Sequence, residues 1–182
     1  MRERGVREGL VERVEVLRET KSRVRIGKQW GEEFWMIKGV RQGCPLSPML
    51  FNILIADIEG DMEKGRWGGL KLKDGKICTL MYVDDIVVMA EEEHGMKALV
   101  SRLERYLDRK GLKLNVEKTK VMRFRKGGRK KKIDWRWKGK RIEEVKEFKY
   151  LRYTFKVNGS QELHIKERRR KAAIVMREAW GI

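Results

Sequence analysis

Long apolar runs, prolines, cysteines and histidines are all scarce in this chain of 182 residues. The longest uninterrupted apolar stretches, 86–90 and 172–176, are five residues each. A bilayer-crossing helix needs about 20 in a row, so a membrane span is excluded. The opening residues Met1, Arg2, Glu3, Arg4, Gly5, Val6, Arg7 and Glu8 hold neither an apolar h-region nor a small-residue cleavage site. No secretory signal is read there, and an intracellular location, nucleus or cytoplasm, is expected. Cys44 and Cys78 lie 34 positions apart with no C-x-x-C partner, which argues against a disulfide framework. Combined with His94 and His164 they give no zinc-ligand spacing.

Acidic residues are also short: 27 against 45 Lys plus Arg, a formal net charge of +18. Such a balance points toward polyanions. The excess is uneven, because residues 1–90 hold 16 basic and 14 acidic side chains and residues 91–182 hold 29 and 13. The difference is +2 for the first part and +16 for the second. It peaks between Arg123 and Arg141, where eleven basic side chains meet one acid, Asp134. Arg129, Lys130, Lys131 and Lys132 are the expected phosphate contacts. Trp135 and Trp137 alternate with Arg136 and Lys138, which suits either base stacking or a short strand packing its indoles on the core. A second basic cluster, 166–171, is interrupted only by Glu167.

Periodicity predicts a mixture of helices and strands. Leu10, Val11, Val14 and Leu17 share one face of a helix over 8–18. Segments 22–26 and 34–38 flank a turn-like 27–31, with Val24 and Ile26 alternating with arginines as half-buried strand residues do. Ser47 is the expected N-cap and Pro48 the first residue of a helix that carries Leu50, Phe51, Leu54, Ile55, Ile58 and Met62 on one face to Gly65. Strands 70–73 and 76–79 are joined by Asp74 and Gly75, and runs 80–83 and 86–89 by Asp84 and Asp85. A helix over 95–110 closes on Gly111. A strand follows at 119–124, a turn-containing strand pair at 135–142 and a further strand at 148–155, then a basic helix over 161–180. This order implies an α+β fold without internal repeats.

Two adjacent aspartates between apolar β-forming runs need a cation, and no basic residue lies from Leu80 to Ala90. Mg²⁺ takes carboxylate oxygens together with substrate phosphates, so the pair suits metal-assisted phosphoryl chemistry. A polar hairpin turn is the plainer reading, since aspartate is common in turns.

The neighbouring motifs decide between them. Tyr82, Val83, Asp84 and Asp85 resemble the Y-x-D-D hairpin of reverse transcriptases. Upstream, Gly39 to Asn52 (GVRQGCPLSPMLFN) is similar to that family's loop-to-helix motif in its non-LTR, LINE-type retrotransposon form. Downstream, Gly111 to Lys120 (GLKLNVEKTK) and Phe148, Lys149, Tyr150 and Leu151 match its next palm motif and its primer grip.

The resemblance implies an RNA-directed DNA polymerase fragment with a palm-like antiparallel sheet packed on helices. It implies Asp84 as the direct Mg²⁺ ligand and Asp85 as its support, with Tyr82 and Val83 under the primer terminus. Gln42 and Gly43 would approach the template base and incoming nucleotide. Lys118 would meet the pyrophosphate leaving group, unless it is simply a solvated lysine. Tyr150, Leu151 and Arg152 would form the grip, with Arg152 where the family ordinarily has glycine. The implied partners are an RNA template, a DNA primer and deoxynucleotides.

Two-metal transfer calls for further carboxylates, yet Asp57, Asp61, Asp74, Asp108 and Asp134 all fall in helices, turns or the basic segment. The family pattern puts the remaining aspartate on a strand just before a helix like the first one here. The expected architecture is therefore a partial palm over 1–156, lacking fingers and first palm strand, followed by a basic helix over 157–182 that starts a connection or thumb. Such a chain is expected to be inactive alone. The alternative is a non-catalytic, basic nucleic-acid-binding remnant of a degenerate retroelement.

Overall fold

The computed structural model describes residues 1–15, 20–36, 39, 43–65, 67–73, 75–124 and 133–181. Its elements are mixed helices and short strand pairs, an α+β chain, and among the described residues the strands form seven two-stranded sheets. They divide into two compact units, Met1–Asp61 with Thr79–Val87, and Met62–Cys78 with Val88–Ile182.

In the first unit α1 (Glu8–Glu15) buries Val11 and half-buries Val14, while Leu10 is exposed; Leu17 lies outside the described residues. Strands β1 (Thr20–Ser22), β2 (Arg25–Ile26), β3 (Gln29–Trp30) and β4 (Phe34–Met36) form a hairpin within a hairpin, β1 with β4 and β2 with β3. Of the expected pairing between 22–26 and 34–38 only Ser22 opposite Phe34 is realised, because Arg25 and Ile26 pair instead with Trp30 and Gln29, inside the segment expected as a turn. The expected half-burial of Val24 and Ile26 is absent: they are 55% and 78% exposed, because the inner hairpin carries them into solvent.

Helix α2 (Ser47–Ile55) begins one residue earlier than the capping rule predicts. Leu46 is the N-cap and Ser47 is a buried helical residue, so no side-chain cap bond forms. The long helix expected to reach Gly65 is broken at Ala56 and Asp57, and α3 (Ile58–Glu63) follows. Ile55, Ile58 and Met62 are fully buried, whereas Leu54 is exposed.

The second unit is built on α4. Strands β5 (Leu70–Leu72) and β6 (Gly75–Ile77) pair with Leu72 opposite Gly75, so Gly75 is a strand residue and not part of the turn; Asp74 lies outside the described residues. The hairpin that comes next in sequence, β7 (Thr79–Tyr82) with β8 (Asp85–Val88), belongs to the first unit up to Val87. Helix α4 (Glu93–Arg109) buries Gly95, Leu99, Leu103, Tyr106 and Leu107, an i, i+4 stripe at helical period. It ends as expected: Gly111, at φ 66°, donates its N–H to Asp108 O, and Leu112 donates to Leu107 O. Those two bonds satisfy the last carbonyls of the helix. Against α4 the backbone comes very close, since a Cβ on Gly95 would stand 2.9 Å from Gly68 N. Only glycine fits there.

Strand β9 (Lys120–Val121) runs parallel to β12 (Glu143–Glu144), and the β10–β11 pair (Arg136–Trp137, Lys140–Arg141) turns through Lys138 and Gly139, both at positive φ. The segment 148–155, expected as one strand, is instead a hairpin of β13 (Glu147–Tyr150) and β14 (Tyr153–Lys156). Its two-residue corner is Leu151 and Arg152, at φ 46° and 66°. Two positive φ values in succession match the right-handed strand twist that tight hairpins require. Helix α5 (Glu162–Trp180) closes the chain and packs its first turns on β14.

Candidate active site

The β7–β8 hairpin carries Tyr82, Val83, Asp84 and Asp85 together. Its corner is Val83 and Asp84, with Val83 at φ 53°, a strained value for a β-branched residue. Asp85 opens β8, so the turn lies one residue earlier than the apolar runs suggest. Both carboxylates are exposed, as are Leu80, Met81 and Tyr82. Burial therefore does not force a cation on the pair, because both residues are exposed at the tip. What remains is a pair of accessible hard oxygen donors on adjacent residues. Among the described residues no group of three or more His, Cys, Asp or Glu side chains gathers as a metal site.

Gly43 is exposed at φ 82°, a conformation that favours glycine; Gln42 lies outside the described residues. Lys118 sits in an exposed turn whose backbone is fixed by its own N–H donating to Asn115 Oδ1 at 3.1 Å. It belongs to the second unit, as do Tyr150, Leu151 and Arg152, whereas Tyr82 to Asp85 belong to the first. Arg129, Lys130, Lys131 and Lys132 lie outside the described residues.

Trp135 and Trp137 are 4% and 5% exposed. Of the two readings open to them, core packing is the one realised, and no base can reach either indole face. Three acids of the basic half, Asp134, Glu143 and Glu144, are paired with cations. Lys120 meets Glu143 at 2.7 Å, Arg123 meets both oxygens of Glu144 at 2.9 and 3.0 Å, and Arg136 meets Asp134 at 2.6 Å. Hydrogen bonds from Lys120 and from Arg136 hold the Glu143 and Asp134 carboxyls below their ordinary values.

One arrangement escaped sequence reasoning. Helix α5 is fastened to the β13–β14 hairpin by Lys149 donating to Glu167 at 2.9 Å and by the buried His164 ring lying 4.2 Å from that of Tyr153. Glu167 also meets Lys171 at 3.0 Å. Hydrogen bonds from Lys149 and then Lys171 lower its carboxyl to about 2. The lone glutamate interrupting the 166–171 cluster was the available signal.

The family described as reverse transcriptase (RNA-dependent DNA polymerase) matches residues 10–155, and the chain belongs to it. Among its relatives are retrovirus-related Pol polyproteins of the retrotransposable element R2. That of Nasonia vitripennis is 34% identical over 118 residues, 65% of this chain and 11% of the relative. The R2DM polyprotein of Drosophila melanogaster is 34% identical over 93 residues, 50% of this chain and 9% of the relative. One from Popillia japonica is 25% identical over 167 residues, 87% of this chain and 28% of the relative. The chain thus spans about a tenth to a quarter of these relatives.

Proposed function

We propose that this chain carries the catalytic hairpin and primer grip of an RNA-directed DNA polymerase of a non-LTR retrotransposon, in a palm-like partial domain over 1–156 followed by a basic helical start of the thumb over 157–182. The observation that carries the reading is the exposed Asp84–Asp85 pair at a hairpin corner, inside a stretch whose whole length matches the reverse transcriptase family. Two adjacent carboxylates fit a hard divalent cation, with Asp84 at the tip as principal ligand and Asp85 beside it. Bound Mg²⁺ would offset the negative charge of the triphosphate and make the attacking hydroxyl easier to deprotonate. Tyr82 and Val83 support the primer end, Gln42 and Gly43 border the template base and nucleotide, and Lys118 offsets charge on the leaving pyrophosphate. Tyr150, Leu151 and Arg152 hold the primer from their own hairpin corner. RNA template, DNA primer and deoxynucleotides are the partners.

Two carboxylates are fewer than two-metal transfer draws on, so this chain alone is expected to bind nucleic acid without extending a primer. The net charge of +18 supports that second, binding role on its own. The test replaces the matching segment of the Nasonia vitripennis R2 polyprotein with this chain and measures RNA-templated primer extension. Extension is expected, with Asp84→Asn losing at least about 100-fold and Asp85→Asn less. Equal tolerance of both substitutions overturns the assignment of Asp84. Incorporation by the isolated chain that disappears in Asp84→Asn overturns its inactivity.

A further inference from the structure

The hairpin over 20–36 presents two indoles to solvent, and its register explains why they share a side. Lys21 pairs with Trp35, Ser22 with Phe34 and Arg25 with Trp30, while Gly31 donates its N–H to Val24 O. From Val24 back to Ser22 is two residues, but from Gly31 on to Phe34 is three. One extra residue therefore sits at Glu32 and Glu33, a β-bulge. Trp30 and Trp35 are five positions apart and would point to opposite faces of a regular strand. The bulge brings both to the face of Lys21, Arg23 and Arg25.

The contacts agree with that placement. Lys21 Nζ stands 4.9 Å from the Trp35 ring centroid, and the Arg25 guanidinium 5.3 Å from that of Trp30. At the bulge Glu33 pairs with both Lys21 and Arg23, so its charge is already offset. Despite the cations over them, Trp30 and Trp35 are 60% and 56% exposed. Their partners Arg25 and Lys21 are four residues apart on one strand, about 13 Å at roughly 3.3 Å per residue. That is the length of about four stacked nucleotides at roughly 3.4 Å each.

We propose that this face is a stacking platform for a single nucleic-acid strand, with bases on Trp30 and Trp35 and phosphates on Lys21, Arg23, Arg25 and the exposed tip residue Lys28. Two exposed aromatic faces interleaved with cations are what sequence-tolerant single-strand binding requires. A protein-docking core is instead depleted of charge, and here three cations flank two indoles. The platform goes beyond the polymerase reading, since it would hold a strand whether or not Asp84 binds metal, and the two fail separately.

The experiment measures affinity of the full chain for a labelled oligouridylate and for an RNA duplex of equal length, across a salt series. The pair Trp30→Ala with Trp35→Ala is expected to weaken single-strand binding at least about 30-fold, with an unchanged salt slope and less than about threefold loss on duplex. Phenylalanine at both positions should restore most of the affinity, and Trp180→Ala, removing an exposed indole of α5, should change little. Arg25→Gln with Lys28→Gln keeps both indoles and should flatten the single-strand salt slope by about 1.4. The proposal is overturned by undiminished single-strand affinity in the alanine pair, by equal loss on duplex, or by an unchanged slope in the glutamine pair. Loss of self-association with RNA binding intact would mark a protein-docking face and also overturn it.

Discussion

Arg152 stands where the tightest backbone geometry of its hairpin falls. At φ 66°, next to Leu151 at φ 46°, it occupies a corner that asparagine followed by glycine would fill without strain. Left-handed backbone costs a long L side chain roughly 1–2 kcal/mol, while a glycine adds somewhat under about 1 kcal/mol of unfolded-chain entropy. The first effect is the larger. Arg152→Gly should therefore leave the thermal midpoint unchanged or raise it, and Leu151→Asn with Arg152→Gly should raise it by about 2–4 °C. A fall in calorimetry would mean that the corner opens into extended chain and that the grip is not strained. The residue scale is also where the sequence was least legible. Two apolar runs around Asp84 and Asp85 placed the corner on both aspartates, but backbone twist set it at Val83 and Asp84, and alternation along 148–155 hid a turn that contains neither glycine nor asparagine.

Helices were far easier to anticipate. The stripe Leu99, Leu103 and Leu107 and the closing Gly111 gave α4 nearly residue by residue, because periodicity and the C-terminal cap point the same way. What periodicity cannot report is which glycine is packed upon. Gly95→Ala ought to help a helix by at most about 1 kcal/mol. Its Cβ would instead meet Gly68 N at 2.9 Å, backbone against backbone. Displacing that segment should cost about 1–3 kcal/mol, so a net loss of stability is expected in urea melts; a gain would show that residue 68 yields freely. Helix α5 has a different vulnerability. The Glu167 carboxyl is lowered from 4.5 to about 2 by its lysines, so its stabilising effect is complete above about pH 4.5 and disappears as pH falls toward 2. The pairs are partly exposed, and salt should shrink the effect. The thermal midpoint should drop between those pH values more in the parent than in Glu167→Gln; parallel curves would detach Glu167 from the docking of α5.

At the scale of the molecule, composition and motif order were enough to name the family, because both survive without any knowledge of packing. The fold class was legible for the same reason. The buried Trp135 and Trp137 were ambiguous, since a two-residue alternation of indole and cation is equally a stacking ladder or a half-buried strand, and only the packed core decides. The charge asymmetry leads to the remaining prediction. With +16 of the +18 net charge on residues 91–182, binding of RNA or DNA by the whole chain should weaken steeply with salt as counterions are released, and should discriminate little between sequences. Four acids of this half, Asp134, Glu143, Glu144 and Glu167, are engaged by Lys120, Arg123, Arg136, Lys149 and Lys171, and the run 129–132 is four consecutive cations with no acid nearer in sequence than Asp134. Each cation that meets a phosphate contributes about 0.7 to the logarithmic salt slope on single strands. Replacing Arg129, Lys130, Lys131 and Lys132 with glutamine should flatten that slope by up to about 3, whereas the same change at Lys166, Arg168, Arg169 and Arg170 should flatten it less. An unchanged slope in the first variant and a large change in the second would transfer the footprint to α5, and with it the choice of which end of the basic half first meets the polyanion.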